Sequence, residues 1–408
     1  MAIRTFIACY ARTPIGKVLG NLKDLSAVQL GAAAIAELVR RSGIPADAIE
    51  EVILGNVISA GLGQCPSRQA ALGAGVTPRV GAITVNKVCG SGLKAVMLAD
   101  QAIRCGDLGV AIAGGMESMT NAPHLLPRAR HGFRMGTVQA LDAMIFDGLL
   151  DPFLGIHVGA LADHVAKKRG ISRDDQDRFA LESHRKAVCA IKSGYLESEL
   201  VAITVPSKKV APSVVRDDEF PRSDTSLEQL NRLRPAFSPE GTVTPGNAPG
   251  ISDGAAVLLL LSVSKAKELG IRPVAAIVAQ AVVGFPPEEV MESPAYAAQK
   301  VLQKAGWTAD DVSLFEFNEA FAAQTLACLQ EFPVPLAKLN VHGGSIAFGH
   351  PIGATGARIL MTLINALLRR KESRGVASMC LGGGNAVAVA VEAMSEPEWP
   401  ARAEEALT

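Results

Sequence analysis

An α/β body of two duplicated halves, interrupted by a long inserted region, is the fold class this sequence predicts. Three observations carry the expectation. Short runs of β-branched residues alternate with alanine- and leucine-rich stretches, the pattern of buried strands joined by helices. The alternation breaks off near residue 120 and resumes near 250. After it resumes, landmarks of the first stretch return in the same order.

In the first half, Ile3–Cys9, Glu51–Val57, Ala82–Val85 and Gly109–Ala113 read as strands, with Leu30–Arg41 and Gly92–Arg104 as helices between them. In the second half, Val312–Phe317, Lys338–Val341 and Val376–Cys380 read as strands, with Tyr296–Ala305 and Gly353–Leu368 as helices. Around a helix-ending glycine, Ala36, Val39, Gly43, Ala46, Asp47 and Ile49 are spaced like Lys300, Leu302, Gly306, Ala309, Asp310 and Val312. Ser91-Gly92-Leu93-Lys94 is echoed by Thr355-Gly356-Ala357-Arg358, and Gly109-Val110-Ala111 by Gly375-Val376-Ala377. An Ala-Asp pair after such a glycine is common capping chemistry. Three echoes in one order favour duplication. The halves are placed at 1–119, completed by about 251–275, and at 276–408; Ala255–Ser262 has the length of a buried strand. The inserted region, 120–250, holds most of the histidines, a charged helix (Ser172–Tyr195) and the proline- and acid-rich Val205–Pro239. Long insertions in compact folds are usually lids or binding loops, so it is expected to lie over one face of the core.

Composition narrows the function. Lysine plus arginine and aspartate plus glutamate both total 40 of 408 residues, which leaves no charge footprint for nucleic acid or an anionic membrane. The seven cysteines (9, 65, 89, 105, 189, 328 and 380) include no Cys-x-x-Cys pair, which argues against a disulfide framework or structural zinc and for a reducing compartment. The opening MAIRTFIACYARTP reads as a strand and turn rather than a signal peptide, and no apolar run reaches the length of a membrane span. The final Ala-Leu-Thr is not of the peroxisomal type. A cytoplasmic protein is expected.

Four constellations could carry chemistry. In Val85-Asn86-Lys87-Val88-Cys89-Gly90-Ser91-Gly92 a strand ends and a cysteine sits at a helix start. Unpaired N–H groups and the helix dipole there are expected to stabilise a thiolate, and the same N–H groups could hold an oxyanion. A small buried residue in a tight turn is the competing reading. Gly343–Gly356 carries His350 between glycines and before Pro351, at the position in the second half that Cys89 holds in the first. Facing helix starts would bring an imidazole to the nucleophile as a base; a surface or satisfied core histidine is the alternative. Ser378-Met379-Cys380-Leu381-Gly382-Gly383-Gly384-Asn385 puts a second cysteine at a strand end, and no Lys-Ser/Thr follows to make it a phosphate loop. Asn318-Glu319-Ala320-Phe321 turns a strand into a helix, with Asn318 as an ordinary helix cap the competing reading.

Together, ARTPIGK, VNKVCGSGLKA, GGMESM, NEAFA, GGSIAFGHPIGATGAR and CLGGG, in that order and nearly end to end, resemble the thiolase family. The resemblance implies the thiolase fold, two βαβαβαββ halves stacked in five layers with a loop domain between them, and a dimer or tetramer. It implies that Cys89 takes the acyl group from an acyl-CoA with His350 as its base, and that Cys380 moves a proton at the second acetyl-CoA. Asn318, through a water, would join His350 at the enolate oxygen, and the N–H groups of Cys89 and Gly382 would form the other oxyanion hole. Arg222, Phe237, His157, Ala320 and Phe321 fall at substrate- and CoA-contacting positions. No metal or redox cofactor is implied; CoA is the carrier, as substrate and product.

The sequence departs from the family pattern at Pro249, which cannot bond the pantetheine arm as the usual serine does, at Val158 and Asp163, at Ala386 and at His342. Gly284-Phe285-Pro286 with Ser293-Pro294-Ala295-Tyr296-Ala297 resembles short-chain acetoacetyl-CoA thiolases. The alternatives are a degradative 3-ketoacyl-CoA thiolase of broader chain length, a ketosynthase, which would be expected to carry histidine or asparagine where Cys380 stands, and a non-catalytic acyl-CoA- or lipid-binding relative.

Overall fold

The computed structural model describes residues 4–206 and 211–394. Ile3 and the final Ala406-Leu407-Thr408 lie outside the described residues. The first half supplies β1 (Thr5–Arg12), α1 (Ala27–Ser42), β2 (Glu51–Gly55), α2 (Pro66–Gly73), β3 (Gly81–Val85), α3 (Ser91–Cys105) and β4 (Val110–Ser118). The inserted region carries α4 (Val158–Arg169) and α5 (Arg173–Lys192). Then follow β5 (Ser252–Ser262), β6 (Ala275–Gly284), α6 (Ser293–Ala305), β7 (Leu314–Phe317), α7 (Ala322–Glu331), α8 (Thr355–Arg370), β8 (Arg374–Leu381) and β9 (Asn385–Ala393).

The strands lie in the order β7-β8-β9-β6-β1-β5-β4-β2-β3. Read outward from the centre, β1-β5-β4-β2 matches β6-β9-β8-β7 strand for strand, and the two halves meet through two residue pairs, Phe6↔Ala276 and Ile7↔Ala275. Period-2 alternation explains the layers. Leu258 and Leu260 of β5 face the core around α3 and α8, whereas Val257, Leu259 and Leu261 face α1 and α2. In β9, Val387 and Val389 face the same central helices while Ala386 and Ala388 face α6. Helices therefore alternate with half-sheets in five layers. In α8 every residue from Thr355 to Leu367 is buried, as expected of the central layer.

Two strand expectations need correction. Lys338–Val341 is no strand but a single bridge, Leu339↔Phe315. Pro333 and Pro335 turn the chain just before it, and Asn340 takes a left-handed φ of 44°, so pairing cannot propagate. The strand expected over Gly109–Ala113 runs on to Ser118 as β4, because Gly114 and Gly115 are needed there for close packing rather than for a turn. A Cβ on Gly115 would stand 1.9 Å from the carbonyl oxygen of Gly353.

The inserted region packs mainly on the second half: Leu161, Ala162 and Val165 of α4 share a core with Ala323 and Ala327 of α7 and with Cys380. It is also tied to β1 through the ARTPIGK segment. Buried Arg12 donates to Asp218 through both terminal nitrogens (2.8 and 2.9 Å) and to Glu199 through Nε (2.8 Å). Glu199 in turn accepts from Asn365 of α8 at 3.0 Å.

Candidate active site

The two central helices place the candidate residues. Gly92 at the start of α3 packs on the loop entering α8: a Cβ there would lie 2.8 Å from the carbonyl of Gly353 and 3.1 Å from the nitrogen of Ala357. Small residues at both helix starts thus allow the Cys89 loop and the His350 loop to meet. Cys89, His350, Cys380 and Gly382 line one cavity of about 370 Å³ with His157, Phe237, Ala320 and Phe321, and the residues departing from the family pattern at 158 and 249 line it too. Ala386 pairs with Cys380 across the hairpin, and Asp163 braces the inserted loop by accepting from the N–H groups of Thr242 and Val243. A second cavity, about 390 Å³ between α5 and α7, holds neither of the candidate cysteines.

Cys89 follows a strained residue. Val88, β-branched, has a left-handed φ of 46°. The strain is held by Ser91, whose Oγ accepts from the Lys87 N–H (2.8 Å) and donates to the Val88 carbonyl (2.6 Å), and by Asn86, which accepts from the Val88 N–H. The N–H groups of Gly382 and of Cys89 itself point at the Cys89 sulfur. The expectation of a stabilised thiolate is nevertheless corrected: burial pushes the Cys89 thiol up to about 11, with the carboxylate of Glu117 acting in the same direction. Two N–H donors do not offset the lost hydration, so the resting group is a thiol and needs a base.

His350 lines the same cavity as Cys89. Its Nδ1 lies 2.7 Å from Thr355 Oγ1, whose own proton goes to the Pro351 carbonyl at 2.9 Å. The threonine can then only accept, which assigns the proton to Nδ1 and leaves a lone pair on Nε2. Nε2 is buried without a protein partner. Burial, and then the Arg358 charge, lowers His350 to about 3. The ring should therefore remain neutral, as the Nδ1–H tautomer, from pH 8 down to about pH 5, where a free histidine would have gained a proton near 6.5. Nitrogen-15 shifts of labelled histidine report this directly; a protonation midpoint near 6.5 at His350 would contradict the buried-base geometry.

Cys380 is buried at the end of β8, its thiol raised well above the usual value by burial and by Cys89. Asn318 is fully buried and is not the cap of α7, a place taken by Phe321. Its Oδ1 accepts from Ser345 Oγ at 2.6 Å, and its Nδ2 has no protein partner. Phe237 stacks on His157, which caps α4 through Nδ1, and meets Phe321 edge-on. Two candidates do not line the cavity: Asn318, buried behind it, and Arg222, which is exposed and whose N–H donates to His184.

Sequence reading assigned no part to Glu117. Fully buried, it accepts from Asn56 Nδ2 and from the N–H groups of Val57, Ile58 and Gly353 at 2.9–3.2 Å, fastening the β2 end to the His350 loop. Burial raises it to about 7 against those donors. The signal was its place in GGMESM, a charge inside a glycine-rich strand.

Comparison with known proteins agrees with this arrangement. Residues 5–264 match the thiolase N-terminal domain and residues 271–393 the thiolase C-terminal domain. An acetyl-CoA acetyltransferase of Allochromatium vinosum is 50% identical over 94% of this chain and 97% of its own length. One of Cupriavidus necator is 48% identical over 95% and 98%. The crystal structure of the Bacillus anthracis acetyl-CoA acetyltransferase superposes with a TM-score of 0.94 at 40% identity, covering 96% of this chain and 99% of that one. With both domains matched in sequence, in order, and the whole fold matched in space, the chain belongs to the thiolase family.

Proposed function

We propose that this enzyme is an acetyl-CoA acetyltransferase that condenses two acetyl-CoA to acetoacetyl-CoA and CoA, and runs the reverse thiolysis. The observation that carries the reading is one cavity receiving a cysteine from each half beside a neutral histidine. In the cleavage direction His350 Nε2 takes the Cys89 proton and the sulfur attacks the C3 carbonyl of acetoacetyl-CoA. The oxygen charge falls to the N–H groups of Cys89 and Gly382. As the C2–C3 bond breaks, Cys380, kept protonated by burial, gives its proton to C2 and acetyl-CoA leaves; Asn318, through a water, and His350 hold the enolate oxygen. His350 then passes its proton to the Cys380 thiolate and, neutral again, takes the proton of incoming CoA; the CoA sulfur attacks acetyl-Cys89, acetyl-CoA leaves, and the Cys89 sulfur recovers that proton from His350. Condensation is the same path reversed. No step calls on a metal or redox cofactor.

Turnover of acetoacetyl-CoA with free CoA tests the reading; a folded protein that binds CoA without cleaving would be a binding relative instead. The short-chain preference is supported by the likeness to relatives that are named acetyl-CoA acetyltransferases; the Phe285 and Tyr296 rings, 4.7 Å apart beside the Gly384 turn, do not line the cavity. The inserted region, 120–250, supplies much of the cavity wall that receives CoA, including His157, Phe237 and Pro249. Arg222 is assigned to the outer end of CoA, so Arg222→Ala should raise the KM for CoA with little change in turnover, the signature of lost uniform binding. Lower turnover at unchanged KM would reject that role.

A homo-oligomer, dimer or tetramer, is supported by β3, an outer strand with Ile83 45% exposed, and by exposed Phe133, Met135 and Phe153 in the inserted region. Among the described residues no helix is long and apolar enough to cross a membrane; a cytoplasmic location fits the free cysteines.

A further inference from the structure

The motifs that place Asn318 and His350 also enclose a buried arginine and a serine that the reaction above does not use. Arg358, on α8 and 3% exposed, donates from Nη2 to Ser345 Oγ at 2.7 Å, while its Nη1 lies 3.3 Å from Glu316 on β7. Ser345 is fully buried and lies 2.6 Å from Asn318 Oδ1. A guanidinium has donors and no acceptor. The serine oxygen must therefore accept from Arg358, and its single proton is left for Asn318.

We propose that Arg358 and Ser345 are positioning residues that fix the rotation of the Asn318 side-chain amide, so that its NH₂ group, and not its carbonyl, holds the water at the enolate oxygen. The inference rests on the reading of Asn318 as part of that oxyanion site. An amide is nearly symmetric in shape, and packing alone holds its two orientations almost equally well. Turned the other way, Oδ1 would take one of the two protons that the water can otherwise offer the developing negative charge. The relay removes that alternative, because it would set Nδ2 against a hydroxyl proton already pointing at it. The orphaned, buried Nδ2 is the consequence: the only unsatisfied polar atom of the side chain is the one the reaction needs.

Condensation measured beside the exchange of the acetyl group between two CoA pools separates the steps, since exchange uses Cys89 and His350 but forms no enolate. In Ser345→Ala, condensation should fall at least about tenfold, short of the roughly hundred- to thousandfold lost with a whole oxyanion donor. Exchange should stay within about twofold of the parent. Asn318→Ala should lose more condensation and equally little exchange. Unchanged condensation in Ser345→Ala, beside a large loss in Asn318→Ala, would overturn the relay alone. Unchanged condensation in Asn318→Ala would overturn the role of Asn318 and the relay with it. Equal loss of exchange and condensation in Ser345→Ala would mark general loosening and also overturn the proposal. Should that variant fail to fold, Arg358→Lys, which keeps a donor-only cation, should condense better than Arg358→Gln, whose amide can also accept; equal rates would overturn it.

Discussion

Cys89→Ser is expected to leave a folded protein that no longer forms an acyl-enzyme, with thiolysis lowered by roughly 10⁴-fold or more, the scale on which losing a nucleophile acts. The substitution changes one atom. The Val88 conformation, the Ser91 bonds and the Gly382 N–H do not depend on sulfur. The chemistry does depend on it. A thiol raised to about 11 can still give its proton to a neighbouring imidazole during attack, whereas a hydroxyl in the same desolvated place is a far weaker acid and a poorer nucleophile. Incubation with acetyl-CoA followed by intact mass should show an acetyl adduct on the parent and none on the variant. An adduct of equal yield on Cys89→Ser would remove the residue from its assigned role.

Cys380→Ser separates the two cysteines, which the mechanism treats as unequal. In the proposed mechanism Cys89 carries the acyl group and Cys380 moves a proton. The variant should therefore still become acetylated and exchange acetyl groups between CoA pools, while condensation and cleavage fall by roughly 10²- to 10⁴-fold, the range for a lost proton-transfer group. A serine hydroxyl at the end of β8 fits the space but is too weak a base, once acetyl-CoA must be deprotonated, to replace a thiolate. Near-normal condensation would make Cys380 a packed core thiol and leave the two-cysteine mechanism without support. Loss of exchange together with condensation would instead place Cys380 in the acyl-transfer step.

Much of this was legible in the sequence because duplication writes itself as order. The echoes at Ser91–Lys94 and Thr355–Arg358 mark the starts of α3 and α8, and these are the elements that bring Cys89 and His350 to one cavity. Periodicity found the apolar strands but placed their ends loosely, since β4 continues through two glycines and Lys338–Val341 is broken by its flanking prolines and Asn340. What sequence could not show were contacts between distant polar residues. Glu117 with Gly353, Arg12 with Asp218, and Arg358 with Ser345 look like ordinary surface chemistry until the fold buries them. The Cys89 thiol was misjudged for the same reason. A helix start is visible in one dimension, and the loss of water around it is not.

The two halves share a strand order but not their connections. Between β4 and β5 the first half carries the whole of residues 119–251, while the equivalent turn between β8 and β9 is Gly382-Gly383-Gly384. One connection is a roof and its counterpart is bare backbone. Each outcome needs the other: the roof springs from the first half yet rests on the second, and the pared turn lends an N–H to a sulfur that belongs to the first. The proposed catalysis is consequently a property of the seam and belongs to neither half alone. In the proposed mechanism, a fragment ending at the family boundary near residue 264 would keep the nucleophile without its base, and the complementary fragment the base and the acid with nothing to acylate. The halves share their symmetry, and the division of labour proposed for them lies where that symmetry is broken, at a single turn.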